Sequence, residues 1–314
     1  MEIESLRGTY LKECVTRNCL CGSSSNILVK VGDRYGLPIK YALCLLCGHV
    51  FTKNPLPDQQ IIEFYSSSAY RTMYSNGATP EEIIKKKTPA RLGQNHLLRL
   101  TKNVLNVFEG NVLEWGCGGG WNLVPFRDAG YQTIGVDFDG AYVRAGSQLN
   151  GLNLKQLDDE TILELSTVNF DVIILNHVLE HAVDPFQLLI DLRKLCGSKT
   201  YLIVGLPTLE SGKTWGFRDY FHIAHLHYFC QSSFARLAGK AGFSLFYEEV
   251  SNGLFVLVPS TIQKIKVSRI NILSSMFAIF KLWLPYFVKP WIRKFAKITK
   301  TEKPMRSVVR RLDK

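Results

Sequence analysis

The stretch from Asn111 to Gly120, NVLEWGCGGG, is an apolar strand that runs straight into an acidic, glycine-spaced turn. Gly116, Gly118 and Gly120 lack Cβ atoms where backbone must bend sharply or lie against a ligand, and residues 121–129 read as the helix whose N-terminal amides face that turn. Strand, glycine turn and helix in this order build a nucleotide-type pocket at the strand tip. The dinucleotide fingerprint G-x-G-x-x-G is not met. Trp121 stands three positions after Gly118, and Glu114 lies two residues before the first glycine.

Downstream residues supply further parts of such a pocket. YQTIGVD, 131–137, is a short strand ending in Asp137, twenty-one residues after Gly116, where a ribose-binding carboxylate belongs. Phe138 follows and can lay its ring on an adenine, while Asp158 or Asp159, after the apolar run 152–157, can accept from the adenine amino group; the sequence does not choose between those two. E-x-G-x-G-x-G followed by this aspartate suits S-adenosylmethionine better than a dinucleotide. FDVIILNHVLEHAVDP, 170–185, is a continuous apolar strand ending in Asn176 and His177, then a helix start carrying Glu180 and His181. KTYLIVGLP (199–207) predicts a fifth strand, and GFSLFYEEV and GLFVLVP predict two closing ones.

Taken together, the chain over 14–259 resembles the class I S-adenosylmethionine-dependent methyltransferases, in the branch with NHVLEH after strand four and HLHYF before the last strands. The resemblance implies an α/β, Rossmann-like fold with a seven-stranded sheet and a reversed last hairpin, a methyl donor across the carboxyl ends of the strands, and an acceptor entering above the sulfonium. It places Glu114, Gly116, Gly118 and Gly120 around the methionine part, Asp137 at the ribose, and Asn176 on the floor near the methyl group. The resemblance also implies that HLHYF borders the acceptor, and His181 closes NHVLEH beside the presumed methyl position, so His181 and His225 are the first candidates for a base, followed by His227 and Tyr228. For each histidine the competing reading is a ring hydrogen-bonded to backbone that holds a loop.

Five of the eight cysteines fall in the first fifty residues. Cys44-Leu-Leu-Cys47-Gly48 has zinc-knuckle spacing, and Cys19-Leu-Cys21-Gly22 provides a second pair, so Cys19, Cys21, Cys44 and Cys47 can close a thiolate tetrahedron. The methyltransferase branch often carries such a zinc ribbon, with a first knuckle of C-x-x-C-G. Asn18 occupies the position of that cysteine here, which leaves Cys14 and His49 as alternatives to Cys19. The polar start MEIESLRGTY does not read as a signal peptide, so a reducing cytoplasm is expected, and structural zinc is favoured over disulfides.

Charge divides the chain. Residues 259–314 hold fourteen Lys and Arg against two acidic residues, a net of +12, whereas the whole chain is +11. The remaining 258 residues are therefore near neutral, which argues against a nucleic-acid substrate. INILSSMFAIFKLWLPYFV (270–288) followed by KPWIRKFAKITK suits a helix lying in a bilayer interface at the inner membrane face; Asn271, Lys281 and Pro285 disfavour a true span. The alternative is helices packed on the body. The expected organisation is a zinc-ribbon-like lobe over 1–65, a helical connector and cofactor lid over 66–110, the methyltransferase domain over 111–259, and a basic amphipathic tail over 260–314. The expected activity is methyl transfer to an oxygen of a sugar or lipid-linked glycan acceptor. A small quinone-like or secondary-metabolite acceptor is the alternative enzyme reading, and a non-catalytic scaffold the alternative from another class.

Overall fold

The computed structural model describes residues 3–67, 69–75, 77–93, 95–211, 219–261, 272–273 and 275–281. The N-terminal part comprises α1 (Ile3–Glu13), β1 (Asn26–Val31), β2 (Lys40–Cys44) and β3 (Val50–Thr52), followed by helices α2 (Asp58–Ser66), α3 (Ala69–Tyr74), α4 (Pro80–Gly93) and α5 (His96–Asn103). Strands and helices then alternate: β4 (Asn111–Trp115), α6 (Val124–Asp128), β5 (Gln132–Asp137), α7 (Gly140–Asn150), β6 (Asn153–Gln156), α8 (Asp159–Leu165) and β7 (Val172–Asn176). After a 3-10 turn (Leu179–His181) come α9 (Pro185–Leu195), β8 (Tyr201–Gly205), β9 (His227–Tyr228), α10 (Gln231–Lys240), β10 (Phe243–Glu249) and β11 (Leu254–Pro259).

Seven strands form the central sheet in the order β10-β11-β8-β7-β4-β5-β6. β11 runs antiparallel to both of its neighbours, and the pairs from β8 to β6 are parallel. This is the reversed last hairpin expected from the sequence. A parallel strand covered on both faces needs apolar residues at every position, which explains why β7 reads VIILN with its first four residues buried. Alternate side chains serve opposite faces. Leu113, Ile173, Leu175, Leu202 and Val204 pack with Leu189 and Leu192 of α9 and Phe234 of α10. Val112, Ile174, Ile203 and Val256 pack with Leu98 of α5, Phe126 of α6 and Val143 of α7.

Helix boundaries follow local chemistry. Asp139 caps α7 by accepting from the amides of Ala141 and Tyr142, and Asp184 caps α9 in front of Pro185. The helix expected over 121–129 starts only at Val124. The glycine turn continues through it, with Gly120 N donating to Cys117 O and Leu123 N donating to Gly120 O, both at 2.9 Å. In the connector expected over 66–110, the last helix before β4 is His96–Asn103, and Asn106 just beyond adopts a positive φ of 54°.

A second sheet has the order β1-β2-β3-β9. Its fourth strand comes from far along the chain: Val50 pairs with Tyr228 and Phe51 with His227. The lobe and the body therefore share one sheet and one apolar cluster, in which Tyr41, Val50 and Ile61 meet Phe221, Leu226 and Tyr228. The sequence division at residue 65 separates chain segments that pack as one body.

Most of the predicted amphipathic tail lies outside the described residues. Residues 272–273 and 275–281 are helical; Ser275 and Ala278 are buried, and Ser275 Oγ donates to Gly48 O at 2.5 Å. Leu273, Met276, Phe277 and Phe280 are exposed. Among the described residues no helix is long and apolar enough to cross a membrane.

Candidate active site

The tip of β4 and the turn after it form a cradle made mostly of backbone. Gly116, Gly118 and Gly120 have φ of 77°, 56° and 72°, which residues with side chains adopt at a cost. The amides of Gly116 and Cys117 both donate to Val136 O, at 2.7 and 3.0 Å, tying the turn to β5. Helix α7 clamps it from the other side: Asn150 Nδ2 donates to Gly119 O at 2.8 Å, and a Cβ on Gly146 would lie 2.6–2.8 Å from the backbone of Gly119. Helix α4 covers it through Ile84, which packs with Trp121 and Tyr142.

Glu114 sits beneath this turn, 1% exposed. Its Oε1 accepts from Asn122 Nδ2 at 2.6 Å, and its Oε2 has no partner. Burial pushes its carboxyl up to about 8 from the ordinary 4.5, with the hydrogen bond from Asn122 opposing. An unpaired buried carboxylate oxygen under a glycine cradle fits the ammonium end of an amino-acid ligand, which would satisfy it.

Asp137 at the end of β5 accepts from Asp139 N on Oδ1 (2.9 Å), and from Gly118 N (2.7 Å) and Arg71 Nη2 (2.8 Å) on Oδ2. Arg71, on α3, also faces Asp139 at 3.7 Å and lies over the Tyr142 ring at 4.3 Å. Oδ2 thus already accepts from two donors, one of them the Arg71 guanidinium, and Oδ1 accepts from one. Phe138 beside it is 51% exposed, with its ring open to a ligand. Asp158, by contrast, caps α8 by accepting from Thr161 N at 2.8 Å, Asp159 is the first residue of that helix, and both are exposed.

The order of the sheet reverses between β4 and β7, and ligands of open parallel sheets lie beyond the strand tips at such a point. A cleft of about 120 Å³ opens beside it, lined by Asn122, Asn176, His177, Gly205, Asn95 and His96 among others. A Cβ on Gly205 would meet Asn176 Oδ1 at 2.2 Å, so glycine is needed there for the Asn176 amide to turn into the cleft. His177 has a φ of 56°, a strained conformation for a residue with a side chain, and strain of this kind concentrates at functional sites.

Behind His177 lies a cluster whose hub is Glu180, 1% exposed. Its Oε1 faces His177 Nδ1 at 3.3 Å, His181 Nε2 at 3.7 Å and His225 Nε2 at 3.9 Å. His181 Nδ1 donates to Ala224 O at 2.7 Å, and the Tyr65 hydroxyl joins the same pair. Burial lowers His181 and lowers His225 further, so both rings are neutral near pH 7. For Glu180, burial acts to raise the carboxyl, but the facing His181 and His177 together hold it below the ordinary value. The fold therefore brings His181 and His225 together.

His227 and Tyr228 point elsewhere. His227 shares a hydrogen bond with His49 at 3.0 Å, and the Tyr228 hydroxyl accepts from His222 N and donates to His222 O, at 3.0 and 3.1 Å. Both side chains are buried and hold the turn that presents His225. Arg71 and Tyr142 escape a linear reading because each acts on a partner distant in sequence, whereas Asn122 lies close to Glu114 along the chain and the E-H pair at 180–181 offers a local signal for Glu180.

The four lobe cysteines also converge. Cys19 Sγ lies 3.4 Å from Cys47 Sγ, Cys21 Sγ lies 3.6 Å from Cys44 Sγ, and all four sulfurs lie within 4.8 Å of one another. Cys14 and His49 stand outside this set.

A family model described as a methyltransferase domain matches residues 85–248, more than half of the chain. The chain belongs to the methyltransferase domain family. It is a class I S-adenosylmethionine-dependent methyltransferase with the Rossmann-like fold and mixed sheet described above. No curated protein sequence matches it. Among solved structures, this methyltransferase is similar to the magnesium protoporphyrin IX methyltransferase of Synechocystis PCC 6803 with bound S-adenosylhomocysteine: 18% identity, TM-score 0.45, 65% of this chain and 100% of the other. A TehB-like S-adenosylmethionine-dependent methyltransferase of Corynebacterium glutamicum ATCC 13032 shows 15% identity and a TM-score of 0.37 over 65% of this chain and 100% of the other. The CurJ carbon methyltransferase shows 14% identity and a TM-score of 0.41 over 66% and 68%.

Proposed function

We propose that this methyltransferase methylates an oxygen of a sugar or lipid-linked glycan. The observation that carries this reading is the placement of the Glu180, His181 and His225 cluster against His177, a residue of the donor cleft, with Tyr65 of the lobe hydrogen-bonded to His181. When bound, the donor's sulfonium supplies an electrophilic methyl group. The glycine turn would hold its amino-acid part, Glu114 its ammonium, Asp137 its ribose, Phe138 its adenine, and Asn176 the floor beside the methyl. Asp158 or Asp159 would accept from the adenine amino group. His181 and His225, neutral and turned toward one buried carboxylate, would take up the acceptor hydroxyl's proton as the oxygen attacks. The outward apolar residues Leu273, Met276, Phe277 and Phe280 support a membrane-proximal acceptor, because the helix that carries them is anchored to the lobe through Ser275. Incubating the protein and isotopically labelled donor with a native extract, then separating membranes from solubles, should place label on a membrane-borne glycan. Label confined to soluble species would remove the lipid-linked assignment.

Glu114 gives a pH signature. Its folded-state value of about 8 lies above the ordinary 4.5, so its contribution to stability is present at low pH and is lost as pH rises through about 8. A cationic amino group against Oε2 favours the ionised form, so donor binding near pH 7 should release close to one proton, and affinity should rise with pH up to about 8. Calorimetry with S-adenosylhomocysteine in two buffers of different ionisation enthalpy reads this directly. Equal heats in both, or an unchanged difference in Glu114→Gln, would remove Glu114 from the donor's ammonium.

Cys19, Cys21, Cys44 and Cys47 are further proposed to hold a structural zinc ion. At a Zn–S distance of about 2.3 Å the edge of a tetrahedron is about 3.8 Å, close to the 3.4 and 3.6 Å found here. Metal analysis should find one zinc per chain, lost in Cys44→Ser together with stability of the lobe. A folded protein that is free of zinc as purified would rule the site out.

A further inference from the structure

We propose that Glu180, His181 and His225 form a second metal site, one for a divalent ion with borderline N/O preference such as Co2+, Zn2+ or Fe2+. The proposal rests on reading this pocket as the acceptor side of the methyltransferase and assigns the pocket a cation. The ligand atoms lie within 4.8 Å of one another, on one carboxylate and two imidazoles. Their spacing distinguishes metal ligands from hydrogen-bonded partners. Nε2 of His181 and Nε2 of His225 stand 3.7 and 3.9 Å from Glu180 Oε1, beyond the hydrogen-bond range of about 2.7–3.2 Å. They lie within a few tenths of an ångström of the edge, about 3.4 Å, of a tetrahedron whose ligands sit about 2.1 Å from a central ion.

The second shell agrees. His181 donates its other ring nitrogen, Nδ1, to the carbonyl of Ala224, which leaves the Nε2 lone pair turned toward the carboxylate. This is how metal-bound histidines are oriented. Two acceptors, Nε2 and a carboxylate oxygen, then face each other with no proton between them, an arrangement that a cation resolves. Glu180 is 1% exposed with Oε2 unpartnered, His225 is 8% exposed with Nδ1 unpartnered, and among the described residues no Lys or Arg nitrogen lies within 4.0 Å of Glu180. Two histidines and a glutamate leave a coordination position for an acceptor oxygen. A bound ion would supply Lewis acidity to the acceptor oxygen and acidify its hydroxyl, and the base role given to His181 and His225 above belongs to the ion-free site.

The full-length protein, brought to a total of one Zn2+ per chain to fill the thiolate set, is titrated with Co2+ and followed by visible absorption. One further equivalent should bind with ligand-field bands and no thiolate charge-transfer band. Glu180→Gln and His225→Asn should each weaken that binding by roughly 100-fold or more, while S-adenosylhomocysteine calorimetry and circular dichroism confirm that each variant is folded and holds donor. Absence of a second equivalent, a thiolate spectrum, or undiminished Co2+ binding in both folded variants would overturn the site. Donor binding is read separately, so a failed metal site leaves the methyltransferase reading intact.

Discussion

Asp137→Ala should weaken S-adenosylhomocysteine binding by roughly 100-fold or more, the largest loss expected from any single donor-side change. Each hydrogen bond from a ribose hydroxyl to a carboxylate contributes about 1.5–3 kcal/mol, so the loss of two amounts to at least about 3 kcal/mol. The same change strips Gly118 N and Arg71 of a partner, leaving a partly buried guanidinium with Asp139 at 3.7 Å and the Tyr142 ring. Ligand-free protein should therefore melt earlier as well. Arg71→Ala separates the two effects. It frees Oδ2 without touching the carboxylate and should leave donor affinity near or above that of the parent, because the hydroxyl no longer competes with a guanidinium. Calorimetry on both variants checks this, and Asp137→Ala binding at parental affinity would withdraw Asp137 from the ribose.

Gly146→Ala should be nearly as damaging although residue 146 touches no donor. The added methyl would stand 2.6–2.8 Å from O, Cα and C of Gly119, and backbone cannot swing aside as a side chain does. Helix α7 and the glycine turn must separate, at an overpacking cost of about 1–3 kcal/mol. A shift of the melting temperature by roughly 2–4 °C per kcal/mol is expected for a body of this size. The separation also stretches the bond from Asn150 to Gly119 O, so donor affinity should fall at least ~10-fold in step with stability. Thermal unfolding with and without S-adenosylhomocysteine reads both quantities. A variant with parental melting and parental affinity would show that the turn is not held by this contact.

The parts of the fold that sequence made legible are those written over short distances. An apolar run, a glycine turn and an acidic strand end are each complete within a dozen residues, so β4, β5, β7, β8 and the closing hairpin can be placed from Asn111 onward without reference to distant chain. Asp137 was visible because its role depends on being last in a strand. Arg71 was not: it stands in a polar stretch, and only the return of α3 over the sheet brings it to Asp137, sixty-six residues away. Similarly, Gly146 reads as an ordinary glycine inside a helix until the packing against Gly119 is known. HLHYF could be assigned to the acceptor side, but not its split into two jobs, since the pairing of Phe51 with His227 and of Val50 with Tyr228 spans most of the chain. Pairing with β3 sends His227 toward His49, while His225, just before the strand, is left facing Glu180.

That borrowed strand has a consequence for how the protein can be dissected. A truncated chain beginning after the lobe would not simply lose an accessory module. It would bare one backbone edge of β9 together with the apolar faces of Leu226 and Tyr228, a surface prone to self-association. It would also release the turn that carries His225, because Thr52 N donates to Leu226 O and Thr52 Oγ1 donates to His225 O, at 2.9 and 2.8 Å. Whatever alters the cysteine corner, such as oxidation of a thiol, acts on the same short strands and so reaches the His225 imidazole mechanically, by a path only a few residues long.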